Sequence, residues 1–396
     1  MSTLNLNFEL HSGVVYIAPA GRIDSTNAQN FSSTITSIRA KYPNSEIVFD
    51  CAQLEYISSA GLRVLLSFSK KENTQIKLVN VSQAVADILN VTGFSTIFDV
   101  SRPIRDISNE KATFMGMSSG ISLYRMSNDT ILKLYPTWQR LEDVKNELKY
   151  TKAALLSGVP ALISYDIVTY ENRYGIIYEM PNVKTVSSLL ILQPWKIDNF
   201  AAEMGKTLKL INSCTPTPGI LPKTSELITE KALKMDKYYN SAEIQDLISI
   251  IHAIPAANTI VYGYYQPGNV FVMNDELILI NMSDISCGNP VYDLGITYAM
   301  HVLESDWLIK QISDLDASQS KRLWHGMIRS YFDKDDEDAI NEKEKIIKAA
   351  ALLCSSLLPA FVPVADAEAK RITDKVRQSV FPNVEKIRTI LSQAKF

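Results

Sequence analysis

The chain has 396 residues, 46% of them hydrophobic, which suits roughly two or three folding units with real cores and excludes a disordered chain. Its 40 basic residues face 43 acidic ones, a formal charge of −3, so no basic excess condenses onto nucleic-acid phosphates and no nucleic-acid partner is expected. Cys51, Cys214, Cys287 and Cys354, like His11, His252, His301 and His325, stand far apart, which argues against disulfides and against a His/Cys metal site. Met1–Leu10 lacks a secretory pattern and no apolar run approaches about 18 residues, so a soluble, cytoplasmic protein with no membrane partner is expected.

Residues 1 to about 100 alternate short strand and helix patterns. Leu4–Leu10 and Val14–Pro19 read as strands joined by a turn at Ser12-Gly13. Asn27–Tyr42 follows as a helix, with Phe31, Ile35 and Ile38 at helical spacing. Glu46–Cys51 is a β-branched strand, Ala60–Phe68 a helix, Gln75–Val79 a strand, and Ser82–Thr92 a helix stopped by Gly93. Such alternation predicts a small α/β layer with helices packed on a sheet. Ser58 and Ser59 fall where a buried strand ends and a helix starts, so either can cap the helix by accepting from an early backbone amide. The same place suits a phosphate, which would meet unsatisfied amides and the positive end of the helix. Asp24 and Asp50 are acids beside strand ends, and Asp24-Ser25-Thr26 before a helix is itself capping chemistry.

Three stretches resemble the STAS domain of anti-sigma-factor antagonists. They are Gly21-Arg22-Ile23-Asp24-Ser25, Val48-Phe49-Asp50 with Tyr56-Ile57-Ser58-Ser59-Ala60-Gly61-Leu62, and Leu78-Val79-Asn80 through Gly93-Phe94. The resemblance spans residues 1–103. It implies a STAS-type sheet with helices on one side, a protein partner such as an anti-sigma factor or similar regulator, and a phosphoacceptor at Ser59. The position before that serine is usually Asp in the family and is Ser58 here, which leaves Ser58 as the alternative acceptor. No transmembrane pattern accompanies these motifs, so the regulator branch is implied rather than the transporter branch.

Ser101–Ala112 is polar and contains Pro103, and residues 104–112 read as a linker. Strand patterns follow at Ser122–Met126, Thr130–Tyr135, Ile163–Thr169 and Tyr174–Glu179, with one helix over Leu141–Leu156. Beyond Pro181 the pattern is helical, as in Ile197–Ile211, where Phe200, Met204 and Leu208 repeat at four-residue steps. A β-rich small lobe over 113–182 and a helical large lobe over 183–396 are expected, making the chain a multi-domain mixture of α/β and α+β folds.

Phosphoryl transfer needs a cationic clamp on the phosphates, carboxylates on metal ions and a base at the attacking hydroxyl. Lys133 lies on a strand after the hairpin Gly116-Met117-Ser118-Ser119-Gly120, and Glu147, with Glu142 as its competitor, lies on the next helix. The segment Tyr262-Gly263-Tyr264-Tyr265-Gln266-Pro267-Gly268-Asn269 resembles the His-Gly-Asp-x-His-Pro-x-Asn loop of aminoglycoside phosphotransferases and related kinase-like enzymes. Leu277-Ile278-Leu279-Ile280-Asn281-Met282-Ser283-Asp284, followed by Gly288-Asn289-Pro290-Val291-Tyr292-Asp293-Leu294, resembles that family's Leu-x-Leu-Ile-Asp-x-x-Asp and Gly-Asp-Pro-x-Tyr-Asp-Leu.

This resemblance implies a bilobal kinase-like fold with ATP held by Lys133, Glu147 and Asn269 and with adenine against Ile176–Met180. It puts Tyr264 where the catalytic acid should stand and Asn281 where a metal-binding aspartate should. Asp284 remains as a candidate metal ligand, and Asp293 takes a structural role. Tyrosine, with a pKa of about 10, is a poor base at neutral pH. Losing the base alone costs ~10² to 10⁴ in rate, and a neutral Asn281 does not suit Mg²⁺. The leading reading is a bacterial regulator, a STAS phosphoprotein module fused to a pseudokinase. The alternatives are an active phosphotransferase on a small hydroxylated molecule and a nucleotide sensor without turnover.

Overall fold

The computed structural model describes residues 4–11, 13–118, 120–179, 184–333, 337–362 and 364–396. Ser12 of the first turn, Ser119 of the glycine hairpin and Met180, at the end of the segment expected to face adenine, lie outside them. The chain divides into two compact units, Met1–Arg105 and Asp106–Phe396.

In the first unit, β1 (Asn5–His11) and β2 (Val14–Ile23) pair antiparallel with Phe8 opposite Ile17. Then come α1 (Ala28–Lys41), β3 (Glu46–Asp50), β4 (Leu54–Ile57), α2 (Ser59–Glu72), β5 (Lys77–Val79), α3 (Gln83–Val91) and β6 (Asp99–Val100). The sheet order is β1-β2-β3-β5-β6, with β4 also on β2, and every pairing after the first hairpin is parallel. Alternation along β2 buries Val15 and Ile17 while Tyr16 stays exposed. The buried face meets Phe31, Ile35 and Ile38 of α1 and Leu62 and Leu65 of α2 in one core.

Strand β7 (Arg105–Asp106) falls at the division, and β8 (Thr113–Ser118), β9 (Ile121–Arg125) and β10 (Thr130–Leu134) follow in the second unit. After α4 (Leu141–Leu156) come β11 (Ser164–Tyr170) and β12 (Arg173–Glu179), giving a sheet of order β7-β11-β12-β10-β9-β8. Ile107, inside the segment read as a linker, is buried beside Leu132, Leu134, Val168 and Ile177, because an apolar side chain there covers one face of this sheet.

The larger lobe contains β13 (Lys184–Thr185), α5 (Val186–Leu192), α6 (Ile197–Ser213), α7 (Thr224–Leu233), α8 (Ser241–Ala253) and β14 (Thr259–Val261). It continues through the hairpin β15 (Val270–Met273) and β16 (Glu276–Leu279) to β17 (Ser286–Gly288) and α9 (Val291–Tyr298). It closes with α10 (Asp306–Ser313), α11 (Ala317–Phe332), α12 (Glu337–Ser356), α13 (Leu358–Phe361), α14 (Asp366–Ser379) and α15 (Val384–Leu391). Phe271, Ile278 and Ile280 of the hairpin region share a core with Ile131, Tyr135 and Ile176 of the small lobe, which fixes the strand carrying Lys133 against the loop carrying Asn281. The whole is a mixed, multi-domain α+β fold. Among the described residues no helix is long and apolar enough to cross a membrane.

Candidate functional site

In the first unit β2 and β4 run in parallel to Ile23 and Ile57, and Ser58 N donates to Ile23 O at 2.8 Å, so the two strand ends meet where α2 begins. Ser58 is the cap: its backbone is extended and its Oγ accepts from Gly61 N at 3.4 Å. Ser59 is the first helical residue and is exposed. Gly61 permits the close seating of the helix, since a Cβ there would lie 2.6 Å from Ile23 Cγ2 and 2.8 Å from Ile57 Cγ1. The first turn of α2 holds no acidic residue to oppose the positive helix end.

Asp24 lies one residue past the end of β2. Its Oδ1 accepts from Thr26 Oγ1 at 2.5 Å and Thr26 N at 2.9 Å, and these bonds, the hydroxyl first, hold its carboxyl below the usual range. The residue that precedes α1 as its cap is Asn27, whose Oδ1 accepts from Asp24 N at 2.9 Å. Asp24 therefore makes a local turn ahead of the helix. Asp50 is tied elsewhere, its Oδ1 accepting from Asn80 Nδ2 at 3.0 Å and Ala52 N at 3.1 Å, which braces the ends of β3 and β5. Beside this edge the Arg22 guanidinium lies 4.2 Å from the centre of the Tyr56 ring.

In the second unit Lys133 on β10 and Glu147 on α4 are each 2% exposed and pair at 2.5 Å. The buried face of α4 carries Val144, Glu147 and Thr151, whereas Glu142 sits exposed in the first turn. Glu147 also accepts from Tyr135 OH at 2.7 Å and from Tyr178 OH at 3.3 Å. Burial first, and the Glu147 charge second, push both phenols well above their ordinary range. Lys133 Nζ further donates to Asn281 Oδ1 at 2.8 Å. A buried ion pair persists only when its remaining donors and acceptors are satisfied, and these three partners meet that requirement.

The loop from Tyr262 to Asn269 is organised by Asp293. That carboxylate is fully buried and accepts from Gly263 N at 2.7 Å and from Tyr262 N and Asn212 Nδ2 at 2.8 Å. Burial outweighs these bonds and pushes its pKa up to about 6. Gly263 has φ of 91°, and a Cβ on it would lie 2.7 Å from Asp284 O, so neither the conformation nor the space admits a side chain. Tyr262 and Tyr265 are fully buried, edge to face at 5.9 Å, with hydroxyls on Ile280 O and Met204 O. Both rings are core residues. Tyr264 is half-buried, and burial pushes its phenol above its ordinary range, away from service as a base. Asn269 Nδ2 donates to Tyr264 O at 3.1 Å, and Gln266 Oε1 accepts from Gly268 N at 2.8 Å.

Asp284 Oδ1 pairs with Lys231 Nζ of α7 at 2.9 Å, and that ammonium stands 4.2 Å from the centre of the Phe361 ring. Mg²⁺ takes oxygen ligands, carboxylates foremost. Here the Asn281 oxygen faces Lys133 and the Asp284 carboxylate faces Lys231. Among the described residues no three His, Cys, Asp or Glu side chains converge on one point. This donor set does not fit Mg²⁺.

Residues 5–108 match the family model of the STAS domain. The first unit is a STAS domain. Over 101 residues it is 27% identical to BtrV of Bordetella bronchiseptica, named as an anti-sigma factor antagonist, covering 25% of this chain and 86% of that protein. An anti-sigma factor antagonist from Mycobacterium paratuberculosis is similar in structure, at 24% identity and a TM-score of 0.24, over 26% of this chain and 87% of that one. Kinase-like structures are the neighbours over the rest of the chain. A choline/ethanolamine kinase family protein from Mesorhizobium loti matches at 14% identity and a TM-score of 0.47, over 72% of this chain and 94% of that one. The amicoumacin kinase hAmiN matches at 13% identity and a TM-score of 0.48, over 76% of this chain and 93% of that one.

Several contacts around these sites are absent from the sequence reading. Tyr135 and Tyr178 as donors to Glu147, Asn281 as an acceptor for Lys133, and Lys231 as the partner of Asp284 join residues far apart in the chain. No local pattern encodes such pairs. In the STAS domain the Arg22–Tyr56 contact is likewise set by the pairing of β2 with β4, in which Arg22 stands opposite Tyr56.

Proposed function

We propose that this chain is a bacterial signalling protein whose STAS domain exchanges a regulatory protein partner under control of serine phosphorylation, and whose kinase-like unit is a pseudokinase kept for recognition. The observation that carries this reading is the state of the phosphotransfer positions. The Lys133 ammonium is engaged by Glu147 and by the neutral Asn281, and the position of the base is a half-buried tyrosine with a raised pKa. The Lys133–Glu147 pair by itself is compatible with holding phosphates; what argues against turnover is the neutral Asn281 in place of a metal-binding carboxylate and a tyrosine with a raised pKa in place of the base.

In the STAS domain Ser59 is the favoured acceptor, because Ser58 is committed to capping α2 while Ser59 is exposed one residue later. A phosphate there adds nearly two negative charges at a helix start and changes the charge of the face offered to an anti-sigma factor or similar partner.

Three measurements test this reading. Full-length protein incubated with ATP, Mg²⁺ and a panel of hydroxylated acceptors is expected to transfer no phosphate, and steady turnover would establish the phosphotransferase instead. Calorimetry of ATP with and without Mg²⁺ separates a nucleotide sensor, which binds in both, from a protein scaffold, which binds in neither. Phosphopeptide mapping of protein from its native cell is expected to find Ser59 modified, and finding both serines bare under every growth condition removes the switch.

A further inference from the structure

The poor fit to Mg²⁺ has a definite form. Lys133, Glu147, Asn281, Lys231 and Asp284 carry formal charges of plus, minus, zero, plus and minus, so these positions sum to zero. An aspartate at position 281 and no cation at 231 would leave them at minus two, the deficit that a divalent cation balances. Both changes that remove the deficit are present and engaged: the Asn281 amide oxygen takes a Lys133 N–H at 2.8 Å, and the Lys231 ammonium takes Asp284 Oδ1 at 2.9 Å.

Asn281 is suited to its place. Its φ is 75°, in the left-handed region where asparagine is among the few tolerated side chains, and its Oδ1 also accepts from Ser283 Oγ at 3.3 Å. Lys231 is held from two sides, by Asp284 and by the face of Phe361 at 4.2 Å, with the side chains of the ion pair only 18% and 22% exposed. A partly buried pair of this kind is screened less than a surface pair.

We propose that Asn281 and Lys231 are the protein's own substitute for the metal: together they neutralise the former phosphotransfer positions, so that the lobe holding Lys133 and the loop holding Asp284 keep their arrangement without a divalent cation. This rests on the pseudokinase reading and assigns it two positioning residues. The consequence is indifference of the folded chain to Mg²⁺, Mn²⁺ and Ca²⁺, which is separable from any question of turnover.

The experiment is thermal unfolding of the full chain in a chelator and in rising concentrations of each chloride salt, with monovalent salt adjusted to constant ionic strength. The wild type is expected to show no saturable shift of its midpoint. The double variant Asn281→Asp with Lys231→Met is expected to gain one, rising by at least about 2 °C per tenfold excess of cation over its dissociation constant. A saturable, chelator-reversible shift in the wild type overturns the proposal, and so does a folded double variant that ignores all three cations. If the double variant does not fold, Asn281→Ala decides the matter by hydrogen exchange. Faster exchange on Ile131–Leu134 with an unchanged STAS domain supports the role of Asn281, and unchanged exchange there refutes it. Phosphotransfer by the wild type would defeat the pseudokinase reading while leaving these cation titrations to be judged separately.

Discussion

The edge of the STAS domain and the charged core of the second unit both hold hydroxyls and charges, yet they satisfy them differently. At the STAS edge the cap is made by Ser58 within its own turn, and the neighbouring Ser59 is left exposed. In the second unit the charged groups are buried and their partners come from distant parts of the chain, as in the bond from Lys133 to Asn281. A local solution leaves a side chain available for modification. A long-range solution satisfies its donors and acceptors inside the core, so breaking it leaves a buried charge without a partner.

That contrast can be broken or sharpened by measurement. The largest effect is expected at the buried pair: Glu147→Ala leaves the Lys133 ammonium without a counter-ion and should cost about 3–5 kcal/mol of stability in urea unfolding of the second unit. Pairing it with Lys133→Met should recover most of the loss, and failure to recover would mean that Glu147 acts mainly through Tyr135 and Tyr178.

The pH dependence of the same unit comes next. His301 is fully buried, its Nδ1 2.5 Å from Ser320 Oγ, and burial lowers its pKa from 6.5 to about 4. The folded state therefore stays neutral while the unfolded state protonates, so this contribution is full above pH 6.5 and is lost as pH falls through 4. Asp293 works in the opposite sense: with its pKa raised to about 6, its contribution is present below 3.8 and lost as pH rises through 6. Between pH 7 and pH 4, His301→Gln should lose less stability than the wild type by about 3 kcal/mol, and equal losses would remove His301 from the account.

Smaller effects are expected in the STAS domain. Gly61→Ala presses a Cβ against Ile23 and Ile57 and should destabilise that unit by about 1–3 kcal/mol. Ser58→Ala removes the cap and should cost about 1 kcal/mol. Ser59→Ala should change stability by less than about 0.5 kcal/mol while abolishing phosphorylation at that position. Equal costs for the two serines would erase the distinction between cap and acceptor.

Much of the fold was legible because it follows from short-range pattern. The helix read over Leu141–Leu156 has those bounds, since its apolar face and flanking polar residues coincide. The helix read over Ala60–Phe68 runs instead from Ser59 to Glu72, because Ser58 caps it one residue earlier and Asn73, in the left-handed conformation, ends it after a polar last turn. Strand β4 pairs only at Leu54–Ile57, and that pairing on β2 has no periodic signature of its own at four residues. The structural places of Gly263 and Asp293 were legible as well, because turn geometry demands particular residues: Gly263 has positive φ, and Asp293 accepts from two successive amides.

The sequence by itself determined the two-part organisation, the serine pair at a helix start and the neutral side chains at Tyr264 and Asn281, because each depends on residue identity or local spacing. Only the tertiary structure decided that Glu147 rather than Glu142 meets Lys133, that Tyr262 and Tyr265 belong to the core, and that Asn281 and Asp284 are each taken by a lysine. Those outcomes depend on which side chains the packed core brings within about 3 Å of one another, and hydrogen bonds of that reach leave no trace in linear order.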